Sequence, residues 1–342
     1  MSMLGIDSRV LVVAEIGVNH DGSLARALEL VDAAAEAGAD ACKLQVFRAA
    51  SLVHPSAGLA PYQAGRCDDA DAAAMLARYE LRPLELAQVA ARIRRRGMLP
   101  LATPFSPEDV ETIEALDLPA IKIASPDLVN RPLLGRAAAT KRPLIVSTGA
   151  ATKQEIADAC RWLRRRASFA LLHCISAYPA ATEDANLCWI GELAEAFRVP
   201  VGFSDHTTEI EMGALAVAAG ARLVEKHLTY DRSARGPDHA ASFDPRQFAR
   251  YVQLVRMAAK ARGTPGRSVL ECEGDVRRIS RQSLVLARAV EAGQVVRRRD
   301  LAVQRPGTGI PAGAMDDVVG RRARRGLKAG TMLQWDMLCE AA

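Results

Sequence analysis

His206 and His227 each close a short apolar run, VPVGFSDH and RLVEKH. Two imidazoles projecting from neighbouring strand ends can share one divalent cation and leave the rest of its coordination sphere to substrate and water. A purely structural pair is the competing reading, and the nearby acids Asp205, Glu225 and Asp238 favour the cation. Lys43 and Lys122 sit in two further runs, ACKLQVF and AIKIAS, while Thr103, Ser125, Ser147, Ser176 and Ser204 end or follow others. Two ammonium groups among several hydroxyls make a cradle for phosphate and carboxylate together. The alternative is that these hydroxyls cap the helices that follow. Glu15 ends LVVAEIG, where it either meets a substrate hydroxyl or ion, pairs with Lys43 on the next strand, or does both. Gln45 shares a run with Lys43, and Tyr178 follows the FALLHC run, as a substrate contact or as packing. Arg305 lies in RPGTGIP, a turn too short for a nucleotide loop and lacking the helix such a loop needs. Only seven of the 45 basic residues are lysines, and Lys43, Lys122 and Lys226 all fall in these runs. That placement suits sites that need a compact ammonium and not a guanidinium fork.

The elements that position these groups follow from the runs. Eight recur between residues 11 and 228, most separated by helical segments such as SLARALELVDAAAEAG. Strand and helix alternating in this way predict a TIM (β/α)8 barrel over about residues 8–261, with its chemistry at the C-terminal strand ends. The longest insertion, residues 48–79, is too polar and broken for one helix and reads as a lid or binding loop. At 342 residues the chain exceeds one ordinary core, which predicts a second domain. Gly, Pro and charge in GTPGRSVLECEGDVRRISRQ mark a linker. Beyond it, AVEAGQVVRRRDL at 289–301 is similar to GLKAGTMLQWDML at 326–338, a weak repeat that predicts two alike hairpin-like units in a small β domain.

Composition excludes several classes. The net charge of +5 comes with basic runs at 92–96, 161–166, 297–299 and 321–325, but no aromatic residues interleave with them and no nucleic-acid motif is present. No segment approaches the ~20 apolar residues of a membrane span, and Glu15 interrupts any leader-like stretch, so a cytoplasmic location is expected. Seven cysteines without a C-x-x-C pair read as reduced thiols.

Nine ordered segments, AEIGVNHDGSL, GADACKLQVF, ATPFS, KIAS, STGAAT, LLHCISAYPA, GFSDHT, EKHLTYDRSARGPDHAAS and QRPGTGI, together resemble the sialic acid (N-acetylneuraminate) synthase family. The resemblance spans nearly the whole chain. It implies a TIM barrel at 1–265, a linker at 266–282 and a small β-rich SAF domain (antifreeze-like, β-clip) at 283–342. It implies condensation of phosphoenolpyruvate with an N-acylated amino sugar such as N-acetylmannosamine, giving a nine-carbon 2-keto-3-deoxy acid and phosphate, with Mn2+ or Mg2+ required. Carried over residue by residue, His206 and His227 would hold the metal. Lys43, Thr103, Lys122, Ser125, Ser147, Ser176 and Ser204 would hold phosphoenolpyruvate. Glu15, Gln45, Tyr178 and Asp238 would contact the sugar, and Glu15, Lys43, Lys122 and Arg305 would serve catalysis. Arg305 would reach the partner's site in a domain-swapped homodimer and contact the sugar there. Members making sialic acid often read KIGSGE where this chain reads KIASPD, and often carry Asn where it has Ser176. Legionaminic and pseudaminic acid synthases share the motifs. A retro-aldol lyase working through a lysine Schiff base, and an inactive carbohydrate-binding protein of a surface-glycan pathway, are the competing functions.

Overall fold

Eight parallel strands close on themselves: β1 (Leu11–Glu15), β2 (Ala41–Val46), β3 (Leu99–Pro104), β4 (Ile121–Ile123), β5 (Leu144–Ser147), β6 (Phe169–Cys174), β7 (Val201–Asp205) and β8 (Leu223–His227), with β8 pairing back to β1. The computed structural model describes residues 4–6, 9–54, 58, 71–264, 266 and 268–339. Both faces of each strand are covered, which is why the strands read as apolar runs instead of alternating ones. On the outer face Val12, Ala14, Leu44, Val146, Phe203 and Val224 pack beneath the helices. On the inner face Leu11, Val13, Leu101, Ile145, Leu172 and Leu223 fill the barrel. One step further along the same inner face stand Glu15, Lys43, Thr103, Ser147, Cys174 and Glu225. The barrel is therefore apolar at its N-terminal end and polar at its C-terminal end.

Helices cover the strands. They are α1 (Leu24–Glu36), α4 (Pro83–Arg95), α5 (Pro107–Ala115), α6 (Arg131–Ala139), α7 (Lys153–Leu163), α8 (Cys188–Phe197), α9 (Met212–Ala218) and α10 (Pro245–Arg262), with α2 (Ala49–Leu52) and α3 (Ala72–Tyr79) in the β2–β3 insertion. Ser23, Ser106, Asn130 and Thr152 cap α1, α5, α6 and α7, each accepting from a first-turn N–H. The part of the insertion at 55–57 and 59–70, which the lid reading includes and which carries Cys67, lies outside the described residues. Around the described part Val18, Phe47, Met75 and Tyr79 form a small apolar cluster.

The chain divides into two compact units, Met1–Gly263 and Thr264–Ala342. In the second unit β9 (Ser283–Leu286) and β10 (Leu301–Gln304) pair antiparallel, α11 (Gly274–Ser280) and α12 (Met315–Val318) accompany them, and Leu284, Leu286, Val296, Ile310, Leu333 and Leu338 form the core. The two repeat segments adopt the same local course. Each runs from a bridge residue through a turn to a 3-10 turn, Arg298–Asp300 in one and Trp335–Met337 in the other. Val290 and Leu327, which begin them, exchange backbone hydrogen bonds of 2.9 and 2.8 Å. The units meet through such isolated bridges, where hairpins were expected, because each is too short to propagate a ladder. Among the described residues no helix is long and apolar enough to cross a membrane.

Candidate active site

The polar ends of the strands line one cavity of ≈ 520 Å3 at the C-terminal mouth of the barrel. Strand register sets the neighbours: Glu15 stands beside Lys43 and His227, Gln45 beside Thr103, and Ser204 beside Glu225. Lys43 is the hub of one side. Its Nζ pairs with Glu15, donates to Thr103 Oγ1 at 3.1 Å and lies 3.8 Å from Glu225 Oε1. Burial works against the ammonium, but the two carboxylates outweigh it and raise the Lys43 pKa above its ordinary value. Lys122 donates to Ser147 Oγ at 2.7 Å and to the Ile123 carbonyl at 3.0 Å. Among the described residues no carboxylate pairs with it directly, and burial pulls its pKa down. Burial alone would raise Glu225; Lys122 and Lys43 override it and hold the carboxyl below its usual range. Two ammonium groups thus face one volume, where a bound anion would find charge-assisted donors.

The rim hydroxyls are not helix caps. Ser147 accepts from Lys122, Ser204 donates to Glu225 at 3.0 Å, and Ser125 accepts from the Gly149 N–H at 3.0 Å. The capping falls to other residues, which decides between the two readings of these serines. Ser125, Ser176 and Cys174 converge on Gly149. A Cβ there would lie 2.3 Å from Ser176 Oγ and 2.9 Å from Ser125 Oγ, so only glycine leaves this corner open.

The two imidazoles line the same cavity, with ring centroids 5.7 Å apart and His206 Nε2 3.4 Å from Ser204 Oγ. Nδ1 of His206 meets the Ile175 carbonyl at 2.6 Å, which assigns it the proton and leaves Nε2 its lone pair. His227 Nδ1 is buried without a hydrogen-bond partner, 3.7 Å from Asp238 Oδ2. Burial lowers the pKa of His206 to about 4 and that of His227 well below 6.5, so both rings are neutral, the form that ligates metal. Among the described residues no group of three or more His, Cys, Asp and Glu side chains is arranged to hold an ion. The donors present fit a two-histidine site whose other positions belong to substrate and water, and the orphaned His227 nitrogen fits it best. Tyr178 stacks on His206 at 4.2 Å between ring centroids.

Of the residues singled out in the sequence, Lys43, Gln45, Thr103, Lys122, Ser125, Ser147, Ser176, Tyr178, Ser204, His206, His227 and Asp238 all line this cavity. Glu15 does not line it; fully buried, it sits behind Lys43 and takes a 3.3 Å hydrogen bond from Gln45. Arg305 is exposed in the second unit, just after β10. The site also contains Glu225, Asp127 and an apolar wall including Val18, Phe47, Met75 and Phe105. Glu225, one of the acids marked near the histidines, could be read from the sequence, since it precedes His227 by the two-residue period that keeps both on one face. The wall could not, because it is assembled from separate loops.

Fold and site define a (β/α)8-barrel enzyme with an anion cradle and a histidine pair in one cavity. The chain belongs to the NeuB family, whose pattern matches residues 30–267, and a SAF domain matches residues 281–338. It is thereby a phosphoenolpyruvate-condensing synthase of nonulosonic acids. It is 37% identical over 344 residues to the N,N'-diacetyllegionaminic acid synthase of Legionella pneumophila, covering 97% of this chain and 95% of that protein. The pseudaminic acid synthase of Campylobacter jejuni is 33% identical, with 96% of each chain covered. The solved N-acetylneuraminic acid synthetase of Leptospira borgpetersenii superposes with a TM-score of 0.71 at 32% identity, covering 79% of this chain and 90% of that one.

Proposed function

We propose that this protein condenses phosphoenolpyruvate with a six-carbon N-acylated amino sugar of the kind that leads to legionaminic or pseudaminic acid. This displaces the expectation of N-acetylmannosamine and N-acetylneuraminate. The full-length likeness to synthases of the first two acids supports the change.

The observation that carries the reading is that the Lys43–Lys122–serine cradle and the His206–His227 pair line one cavity. The cradle fits phosphoenolpyruvate, an enol phosphate with two anionic ends. Lys43 with Thr103, and Lys122 with Ser147, are the charge-assisted donors, and Ser125, Ser176 and Ser204 supply further hydroxyls. A divalent ion held by His206 and His227 would polarise the open-chain aldehyde of the sugar. Gln45, Tyr178 and Asp238 orient that sugar so that its aldehyde carbon faces the terminal carbon of the enol. Carbon–carbon bond formation leaves positive charge on the adjacent carbon, water adds there, and phosphate departs. Glu225 and, behind Lys43, Glu15 balance the developing positive charge and keep the lysines protonated. In the same reading Arg305 completes the site of a partner subunit, and the chain divides as barrel 1–265, linker 266–282 and SAF domain 283–342.

The test is phosphate release from phosphoenolpyruvate and Mn2+ with a panel of acylamino hexoses. Release with diacetamido trideoxy sugars and little with N-acetylmannosamine is expected. The reverse preference would restore the neuraminate reading, and covalent trapping of pyruvate on a lysine by borohydride would make the protein a lyase.

A further inference from the structure

His206 lies one residue beyond β7, past the last register pair of the β7–β8 ladder, Asp205 with Lys226. Other contacts must therefore hold its backbone. On the β6 side the Ala180 N–H donates to the His206 carbonyl at 2.9 Å, and the Ile175 carbonyl receives its ring nitrogen. On the β8 side the work falls to Lys226, the residue next to His227. Its ammonium donates to the carbonyls of Asp205, at 3.2 Å, and of Thr207. These are the two residues that flank His206. One side chain therefore ties the backbone on both sides of the first histidine to the strand that carries the second.

Lys226 does not face the cavity. It alternates with Glu225 and His227 and points outward, as Asp205 does between Ser204 and His206. The ammonium is fully buried and lies 4.2 Å from the centroid of the Phe243 ring and 3.8 Å from Asp205 Oδ1. Asp205 Oδ1 in turn accepts from the Thr207 N–H at 2.9 Å and its hydroxyl at 2.7 Å, closing the same turn. Phe243 donates its N–H to the His227 carbonyl at 2.9 Å, so the ring under the ammonium belongs to a residue that also holds the second histidine. A buried ammonium and carboxylate are a costly way to gain stability, since an apolar pair of similar volume does as well. What the ammonium offers and an apolar residue lacks is a grip on two carbonyls.

We infer that Lys226 is a positioning residue that sets the spacing and direction of the His206 and His227 imidazoles, and through them the affinity for a divalent cation, without touching substrate. The inference rests on the cation role proposed for the histidine pair. Groups that orient metal ligands are commonly worth 10- to 100-fold in affinity.

The experiment uses chelator-stripped full-length protein and Mn2+ alone, with free Mn2+ read by its paramagnetic resonance signal and folding by melting temperature. Lys226→Met combined with Asp205→Asn removes both charges and keeps volume and the Oδ1 acceptor. It is expected to fold and to bind Mn2+ at least about tenfold more weakly. Asp205→Asn alone, with the lysine's grip intact, is expected to stay within threefold of wild type. Lys226→Gln keeps a donor too short to reach both carbonyls, is the second route should the double variant not fold, and is expected to fall between. Mn2+ affinity within twofold of wild type in the Lys226 variants, whatever their melting temperature, overturns the inference and leaves the pair a structural one. Wild-type protein that binds no Mn2+ overturns the cation role of the histidines and this inference with it, a result told apart by its appearing before any substitution.

Discussion

Lys122 is the most direct single-residue probe of the cradle. Its Nζ donates to Ser147 and a backbone carbonyl and, among the described residues, makes no direct ion pair, so its removal leaves Lys43 to hold Glu225, whereas loss of Lys43 would strip Glu15 of its partner. A charge-assisted contact is worth roughly 1.5–3 kcal/mol, about ten- to a hundredfold. Lys122→Ala should raise KM for phosphoenolpyruvate by that factor and leave KM for the sugar nearly unchanged; an unaltered phosphoenolpyruvate dependence would remove Lys122 from the cradle. His20, in the loop after β1, makes a stability prediction. It is buried and neutral, and its Nδ1 accepts the Gly22 N–H at 3.1 Å, a bond that protonation destroys. Burial lowers its pKa from 6.5 to about 4. Between those values the unfolded chain binds the proton and the folded one does not. Stability from this group is therefore complete above pH 6.5 and lost as the pH falls toward 4, by at most about 3 kcal/mol. Urea midpoints measured at pH 7.5 and 5 should differ, and His20→Asn, which keeps an acceptor, should narrow the difference. An equal difference in both proteins would assign the pH dependence to other groups.

At the scale of elements, the seam between α9 and α10, behind the Asp205 carboxyl, shows how tightly neighbouring helices are matched. Tyr251 of α10 is fully buried beneath α9, and a Cβ on Gly213 of α9 would sit 2.3 Å from its Cζ. Gly213→Ala gains helix propensity but overpacks, with a net loss of about 1–3 kcal/mol. It should lower the urea midpoint while KM for phosphoenolpyruvate stays put. A stabilised variant would show that Tyr251 can yield. The barrel was legible because a parallel strand is buried on both faces, so a polar residue in its run is an exception with a reason. That logic located Lys43, Lys122, His206 and His227. It could not separate Lys226 from the other run-ending lysines, since inward and outward residues differ by one step and only packing reveals which is which. Nor could it reveal that Glu15 lies beneath the cavity wall, because depth along a barrel is not written in a two-residue period. The tail repeat was visible as a similarity, yet its units proved too short for the hairpins expected of it.

The whole molecule raises the question of how the SAF unit serves the barrel. In the proposed reading Arg305 works in the partner's site. Arg305→Ala and His206→Ala should each be inactive alone, and subunit exchange between them should recover about a quarter of wild-type activity, since half the dimers are mixed and each holds one intact site. No recovery, with exchange confirmed by mass, would mean that each tail serves its own barrel. In the proposed reaction the enol carbon attacks the aldehyde, water adds to the adjacent carbon, and phosphate leaves with its bridging oxygen. Phosphoenolpyruvate labelled with oxygen-18 at that bridge, turned over with Mn2+ and the acylamino sugar, tests it in one measurement. The predicted result is label in the released phosphate and none in the nine-carbon acid. Label retained in the keto oxygen of the acid would mean that the phosphorus–oxygen bond breaks first and would rule out this reaction course.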